Sequence, residues 1–336
     1  MSFSSEVKEE LAKEMSARRH CQIAELAAIF ALNGNLVGEA SINEEGEILA
    51  PENLSLQIRT ENVNLARKCF TLMKRIFQIT TEIEIRQTAG SAKSHTYLIR
   101  IEDGKEVRRM LMAFRLVDDA GHLLDIEEVV HPTLILNDCC RRAFIRGCFL
   151  ASGSMSDPEK SYHFEVVCDT MKQASQLMER IQEFSIDARI VERKHHYVVY
   201  VKEGTQIVDL LNLMGAHVSL MNMENVRILK DMRNQVNRRV NCETANLNKT
   251  VNAAIRQMED ISYLEAIGQL EQLPLPLQEM AQLRRTYPDA SLKELGELTD
   301  PPLGRSGVNH RLKKLGEIAE KARNQGGKLW SEKKSQ

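Results

Sequence analysis

No run of apolar residues in this chain approaches the roughly 18 needed to cross a bilayer, which argues against a membrane-spanning role. The opening stretch, Met1 to Arg19, has four glutamates and no apolar core segment, so it does not read as a signal peptide. Val7, Leu11 and Met15 in it fall on one stripe, the spacing of an amphipathic helix. Paired CxxC motifs are missing. The seven cysteines, Cys21, Cys69, Cys139, Cys140, Cys148, Cys168 and Cys242, are odd in number, which fits a reducing compartment better than a disulfide framework. The Cys139-Cys140 pair admits a redox or metal reading. Two small residues at a helix start explain it more simply, so no metal set and no cofactor are assigned. His195-His196 lies inside an apparent strand pair, where neighbours point to opposite faces and make a poor metal site.

Net charge is also scarce, at −2 overall, which by itself says nothing about DNA. Its distribution says more: residues 1–222 hold 26 Lys+Arg against 32 Asp+Glu, and residues 223–336 hold 19 against 15. The field that would attract phosphate therefore sits in the C-terminal part. Hydrophobic residues, at 43%, suffice for ordinary globular cores.

What is present first is an internal repeat. Tyr97-Leu-Ile-Arg-Ile-Glu-Asp-Gly104 matches Tyr197-Val-Val-Tyr-Val-Lys-Glu-Gly204, and Val107 and Leu111 after it match Ile207 and Leu211. Upstream, Leu72-Met-Lys-Arg-Ile76 matches Leu177-Met-Glu-Arg-Ile181, and Leu54-Ser-Leu-Gln-Ile58 matches Tyr162-His-Phe-Glu-Val166 in alternation. Ala24 to Gly34 matches Ala143 to Gly153. The same order of five matches predicts a duplication. Each copy reads as helix, strand region, helix, two strands, helix. The pieces fall near 21–33, 54–60, 63–78, 81–86, 95–102 and 105–114, then near 139–151, 161–168, 170–184, 186–193, 196–202 and 205–214. Alternation such as Leu54, Leu56 and Ile58 against Ser55, Gln57 and Arg59 means one buried and one wet strand face. Helices must cover the buried face, and two copies about a pseudo-twofold axis would form a saddle of antiparallel sheet.

The first helix of each copy is crowded with small residues: Ala24, Ala27, Ala28 and Ala31 in one, Ala143, Gly147 and Ala151 in the other. Small residues let two helix backbones approach closely. Each helix ends at a glycine, Gly34 or Gly153, which suits a C-terminal cap. Leu26-Ala-Ala-Ile-Phe-Ala-Leu-Asn-Gly34 and Ile145-Arg-Gly-Cys-Phe-Leu-Ala-Ser-Gly153 resemble the LAGLIDADG motif of homing endonucleases. The resemblance implies that these helices pair at a domain interface and that the residue before each final glycine should be an acidic metal ligand. Those positions hold Asn33 and Ser152. Cleavage by two metal ions needs anionic oxygen ligands, which an amide and a hydroxyl do not supply. Glu39 and Asp157 lie downstream at unequal offsets from the two glycines. No catalytic residue is expected.

Strand signals vanish after Glu224. The segment 222–243 carries Arg227, Lys230, Arg233, Arg238 and Arg239, and reads either as a helix touching DNA or as a solvated charged helix. Val251, Ala254, Ile255, Met258, Ile261 and Leu264 follow at helical spacing. Pro274 and Pro276 break the chain, with Pro276 suited to the first turn of the next helix. Leu277, Met280 and Leu283 form that helix's inner stripe. Ser291 with Glu294 is a capping box, and Thr299-Asp-Pro-Pro-Leu-Gly304 interrupts the helix it opens. On the next helix Val308, Leu312, Leu315 and Ala319 share one face. Ser306, Asn309, His310, Lys313 and Lys314 lie opposite, with Arg305 and Arg311 flanking. A short helix, a tight break and a basic helix make the helix-turn-helix layout. Asn and Arg suit base edges and Lys suits phosphates. The competing reading is a plain three-helix bundle with a solvated basic face.

The degenerate LAGLIDADG copies, Arg238-Arg-Val-Asn-Cys-Glu-Thr-Ala-Asn246 with Lys249, and Ser306-Gly-Val-Asn-His-Arg-Leu312 together resemble the WhiA family of bacterial regulators, over about residues 5–320. The resemblance implies an α+β chain: a duplicated LAGLIDADG-like α/β saddle with a pseudo-twofold axis, then an all-α helix-turn-helix domain. It implies roles in transcription at sporulation or cell-division genes and in chromosome segregation, in the cytoplasm at the nucleoid. The expected segments are an amphipathic helix at 1–19, repeats at 20–120 and 121–222, a basic linker helix at 223–247, the helix-turn-helix domain at 248–322 and a polar tail at 323–336. Arg305, Ser306, Asn309, His310, Arg311, Lys313, Lys314, Arg238 and Arg239 are the expected contacts to double-stranded DNA. No membrane or small-molecule partner is expected. Two other readings compete: a surviving nuclease, and a scaffold whose acidic N-terminal half docks RNA polymerase, another transcription factor or a division protein. The wet strand faces offer Ser55, Gln57, Arg59 and Arg100 from copy one, and His163, Glu165, His196, Tyr200 and Lys202 from copy two. Only three of these are firmly cationic, so the saddle is expected to bind DNA far more weakly than the C-terminal part.

Overall fold

The structure, a computed structural model, describes residues 2–38, 41–42, 48–49, 54–87, 95–118, 122–124 and 126–332. It divides into two compact units, Met1–Lys230 and Asp231–Gln336. No helix among the described residues is long and apolar enough to cross a membrane.

The first unit opens with α1 (Phe3–Lys13), whose Val7 and Leu11 are buried in the same core as both repeats. Copy one runs α2 (Arg19–Asn33), β1 (Gly34–Val37), β2 (Ser41–Ile42), β3 (Ile48–Leu49), β4 (Ser55–Thr60), α3 (Val63–Phe77), β5 (Glu82–Gln87), β6 (His95–Ile101) and α4 (Gly104–Ala113). Copy two runs α5 (Asp138–Ser152), β7 (Gly153–Met155), β8 (Phe164–Cys168), α6 (Met171–Gln182), β9 (Arg189–Arg193), β10 (His196–Val201) and α7 (Gly204–Met214). The main sheets have the orders β1-β4-β6-β5 and β7-β8-β10-β9, all antiparallel. The duplication read from sequence is thus repeated strand for strand in the two main sheets. Alternation drives it: Leu56 and Ile58 are buried while Arg59 is exposed.

The two small-residue helices α2 and α5 pack on each other. A side-chain carbon on Gly147 would stand 2.6 Å from the Glu25 carbonyl oxygen and 3.0 Å from the Ala28 β-carbon. Only glycine permits this approach. Gly34 and Gly153 occupy the C-terminal cap positions, but with φ of −104° and −79° rather than in the left-handed conformation. The reason for glycine there is steric. The chain turns straight into β1 or β7, and a β-carbon would come within 2.5 Å of the Phe30 oxygen or 2.7 Å of the Phe149 oxygen.

A buried ionic triad ties this interface to its neighbours. Glu25 on α2 is fully buried and pairs with Lys68 of α3 at 2.5 Å and with Arg146 of α5 at 2.8 Å. The Lys68 ammonium also donates to the Leu11 and Glu14 carbonyls at 2.7 Å. Arg146 reaches the Met214 carbonyl at 3.0 Å and the Ser16 hydroxyl at 2.7 Å. Burial pushes the Lys68 ammonium below its ordinary pKa, and the Glu25 carboxylate works against that shift.

Two local readings change. His195 is not in a strand: Lys194 and His195, with φ of 48° and 68°, are the two-residue turn joining β9 to β10. Positive φ at both positions makes it the kind of turn that matches strand twist. Strands β1 and β7, three to four residues long, are absent from the sequence reading, because segments so short carry almost no periodic signal.

The second unit takes in α8 (His217–Ala266) from Asp231 onward, then α9 (Leu275–Thr286), α10 (Leu292–Glu297) and α11 (Arg305–Glu332). Its core is Ile261, Leu264, Leu277, Met280, Ala281, Leu295, Val308, Leu312, Leu315 and Ala319. The apolar stripe read from Val251 to Leu264 is buried only at its end: Val251 and Ile255 are 46% and 51% exposed, whereas Ile261 and Leu264 are fully buried.

Candidate nucleic-acid interface

Helix α10 starts with the expected capping box. The Glu294 carboxylate accepts from the Ser291 amide at 2.7 Å, and the Ser291 hydroxyl accepts from the Glu294 amide at 3.3 Å. The amide hydrogen bond from Ser291 holds the Glu294 carboxyl below its usual range. The turn then folds back tightly. Leu303 donates its amide to the Gly296 carbonyl at 2.9 Å, and the buried Thr299 hydroxyl lies 2.8 Å from the same oxygen. A β-carbon on Gly296 would overlap the Leu303 carbonyl oxygen, so glycine is required here for close approach. Arg284 of α9 supports the preceding loop, donating to the Ala290 carbonyl at 2.7 Å.

Helix α11 begins at Arg305, directly after this turn. Val308, Leu312, Leu315 and Ala319 are buried against α9, α10 and the end of α8. Ser306, Asn309, His310, Lys313 and Lys314 are exposed on the other side, and Arg305 at the flank is exposed as well. Lys313 stands 3.8 Å from Glu317 one turn on, an exposed pair too weak to hold it. Arg311 departs from this set. Its guanidinium turns back to α9, 3.4 Å from the Pro276 carbonyl and 3.9 Å from Glu279. It sits at an angle between the two faces, on the side of α9.

Arg238 and Arg239 stand on α8, where every residue from Asp231 to Ala253 is exposed. Arg239 pairs with Glu243 at 3.0 Å. Beside these charges the helix carries a set of asparagines. At about 100° per residue, Asn234, Asn237, Asn241, Asn248 and Asn252 fall in a sector of about 60°. Arg238, Lys249 and Arg256 flank that sector on one side and Arg233 on the other. The sector is legible in the sequence as a helical period in asparagine rather than in apolar residues.

In the first unit, Asn33 donates its amide to the Ala151 carbonyl across the helix pair at 3.3 Å, and the Ser152 hydroxyl donates to the Val167 carbonyl at 2.7 Å. Both side chains are engaged in neutral hydrogen bonds. Asp157 caps its own turn, accepting from the Glu159 amide at 2.9 Å. Glu39 lies outside the described residues. A cavity of about 590 Å³ opens beside Asn33 and is lined also by Lys8, Arg59, Glu61 and Asp169. Glu61 and Asp169 each follow the matched strand, β4 or β8, by one residue. Asp169 faces His196 at 3.2 Å. On the wet sheet face of copy two, Glu165 accepts from Ser154 at 2.9 Å, pairs with His163 at 3.0 Å and lies 3.5 Å from Arg193. His163 stacks on Tyr200, and Lys202 lies over the same ring at 4.9 Å. In copy one Arg59 is exposed, whereas Arg100 pairs with Glu102 at 3.3 Å.

Comparison with known proteins gives a consistent set of matches. Three family descriptions cover the chain in order: the WhiA N-terminal LAGLIDADG-like domain at residues 19–117, the WhiA LAGLIDADG-like domain at 141–233 and the WhiA C-terminal HTH domain at 236–319. A probable cell division protein WhiA from Lachnoclostridium phytofermentans is 52% identical over 321 residues, covering 95% of this chain and 99% of the relative. One from Desulforamulus reducens is 48% identical over 324 residues, covering 96% and 97%. Among solved structures, full-length DUF199/WhiA from Thermatoga maritima aligns with a TM-score of 0.56 at 23% identity, over 96% of this chain and 99% of that one.

Proposed function

The chain belongs to the WhiA family, and we propose that it is a non-catalytic regulator of transcription that binds double-stranded DNA and acts in cell division, chromosome segregation or sporulation. Its place is the nucleoid, in the cytoplasm. The observation that carries the DNA reading is α11. One face is committed to the core, and the other presents Arg305, Ser306, Asn309, His310, Lys313 and Lys314 to solvent just beyond a tight turn. Arg305 and Asn309 have the donor and acceptor geometry for guanine and adenine edges. Lys313 and Lys314, further along the helix, suit backbone phosphates. The asparagine sector of α8, with Arg238, Lys249 and Arg256 beside it, supplies a second surface of the same chemistry. The cell-division role rests on the names borne by the relatives.

A scaffold role can coexist with this one. Residues 1–230 hold 28 Lys+Arg against 33 Asp+Glu, and an acidic unit of this kind favours a protein partner, RNA polymerase or another transcription factor, over DNA.

A single assay tests both halves of the main reading. Supercoiled plasmid incubated with the protein and Mg²⁺ or Mn²⁺ should be retarded on a gel and remain unnicked. Failure to retard at low salt would remove the DNA reading. Reproducible nicking, lost in Glu61→Gln or Asp169→Asn, would show that the cavity beside Asn33 has kept a nuclease.

A further inference from the structure

The two repeats carry a matched dipeptide that the DNA reading does not use. His20-Cys21 lies fourteen and thirteen residues before Gly34, and Cys139-Cys140 lies fourteen and thirteen residues before Gly153. Helix α2 starts at Arg19 and α5 at Asp138, so each dipeptide occupies the second and third positions of its helix. Pairing of α2 with α5 brings the two first turns together. The four ligand atoms all lie within 4.8 Å of one another. His20 Nδ1 is 3.0 Å from Cys140 Sγ and 3.5 Å from Cys21 Sγ. The sequence alone leaves Cys139-Cys140 open to a redox or metal reading, though small residues at a helix start explain the pair more simply. It does not show that the repeat symmetry places a second dipeptide against the first.

We propose that His20, Cys21, Cys139 and Cys140 form a structural Zn²⁺ site that staples the first turns of the two central helices, and hence the two repeats, together. Three thiolates and one imidazole make a complete tetrahedral set for zinc. Zinc–ligand bonds of about 2.0–2.3 Å put ligand atoms about 3.4–3.8 Å apart, and the side chains already stand near that spacing. Cys21 and Cys140 are buried, Cys139 is half-buried and His20 is exposed, so the set closes over an ion from the surface inward. With four protein ligands no position is left for substrate, which makes the site structural rather than catalytic.

The surroundings suit bound thiolates. Both dipeptides sit at helix N-termini, where the helix dipole favours negative charge. The Arg18 guanidinium lies 3.9 Å from Cys139 Sγ. A divalent ion displaces the thiol protons on binding and replaces the hydrogen bonds among these groups with metal bonds. The soft sulfur and nitrogen donors select zinc over Mg²⁺ or Mn²⁺. The helices separate the site by about 20 Å from Asn33 and Ser152, the positions where a nuclease would hold its oxygen-bound metals.

The test uses the full-length chain, purified under reducing conditions without chelator, with elemental analysis of bound metal. About one zinc per chain is expected. Exchange with Co²⁺ should give the intense absorption of tetrahedral cobalt and a thiolate-to-cobalt charge-transfer band. Cys21→Ser and Cys140→Ser should lose both signals, and Cys242→Ser, at the exposed cysteine of α8, should keep them. His20→Cys should retain zinc in a four-thiolate set, so an unfolded serine variant does not decide the matter. Zinc at trace level with no tetrahedral cobalt spectrum in the wild-type protein would overturn the proposal. Stoichiometric iron, a disulfide among these cysteines in the reduced preparation, or zinc retained in Cys21→Ser and Cys140→Ser would each overturn it as well.

Discussion

Replacing Glu25 by alanine should destabilise the first unit by about 3–5 kcal/mol, the cost of leaving buried charges without a partner. Two cations lose their counterion at once. Lys68 has no side-chain exposure and Arg146 has 6%, so neither can recover solvation without opening the interface. The carbonyls of Leu11, Glu14 and Met214 that these cations also hold belong to or follow other helices, α1 and α7. The disruption should therefore spread beyond the α2–α5 contact. Urea unfolding of residues 1–230 measures it. A loss below about 1 kcal/mol, the size of an exposed pair, would show that the triad is solvated and does not tie the repeats.

The second large effect is expected on α11. Arg305→Ala and Asn309→Ala should each weaken binding to the preferred sequence by about 1–3 kcal/mol and leave binding to unrelated DNA nearly unchanged. Lys313→Ala and Lys314→Ala should weaken binding to any sequence. Removing one cation that neutralises a phosphate should flatten the log–log salt slope by about 0.9. Arg311→Ala should behave differently from all four. Its guanidinium leans on α9 beside Pro276 and Glu279, an exposed contact worth at most about 1 kcal/mol, so its loss should cost a little stability and no base-specific contact. Fluorescence anisotropy on two duplexes at several salt concentrations separates these cases. Unchanged affinity and slope in the Lys313/Lys314 double variant would take α11 out of the interface.

Periodicity made the architecture legible. Leu54, Leu56 and Ile58 marked β4, and the Tyr97 and Tyr197 segments marked β6 and β10, because alternation over six or seven residues is a strong signal. The capping box at Ser291 and the Pro301-Pro302 break located the helix-turn-helix for the same local reason. What stayed hidden depends on groups far apart in sequence. Glu25, Lys68 and Arg146 look like three ordinary surface charges until the helices are packed. His20-Cys21 and Cys139-Cys140 are separated by more than a hundred residues, and only the repeat symmetry relates them. Arg311 sits at an angle on its helix that leaves either face open, and α9 decides it. Val251 and Ile255 keep helical spacing yet stay about half exposed, so period alone overstated how far the second core extends.

We propose that DNA binding resides in the second unit. Each unit has its own buried core, and residues 231–336 hold 17 Lys+Arg against 14 Asp+Glu, the reverse of the first unit's balance. The most direct measurement titrates residues 1–230 and residues 231–336 separately against the same duplex at low and moderate salt. The second unit should bind more than about tenfold tighter, with a steep salt dependence, and the first should bind weakly. Equal affinity for the two units, or a steeper salt slope for the first, would place the grip on DNA in the saddle and contradict the assignment.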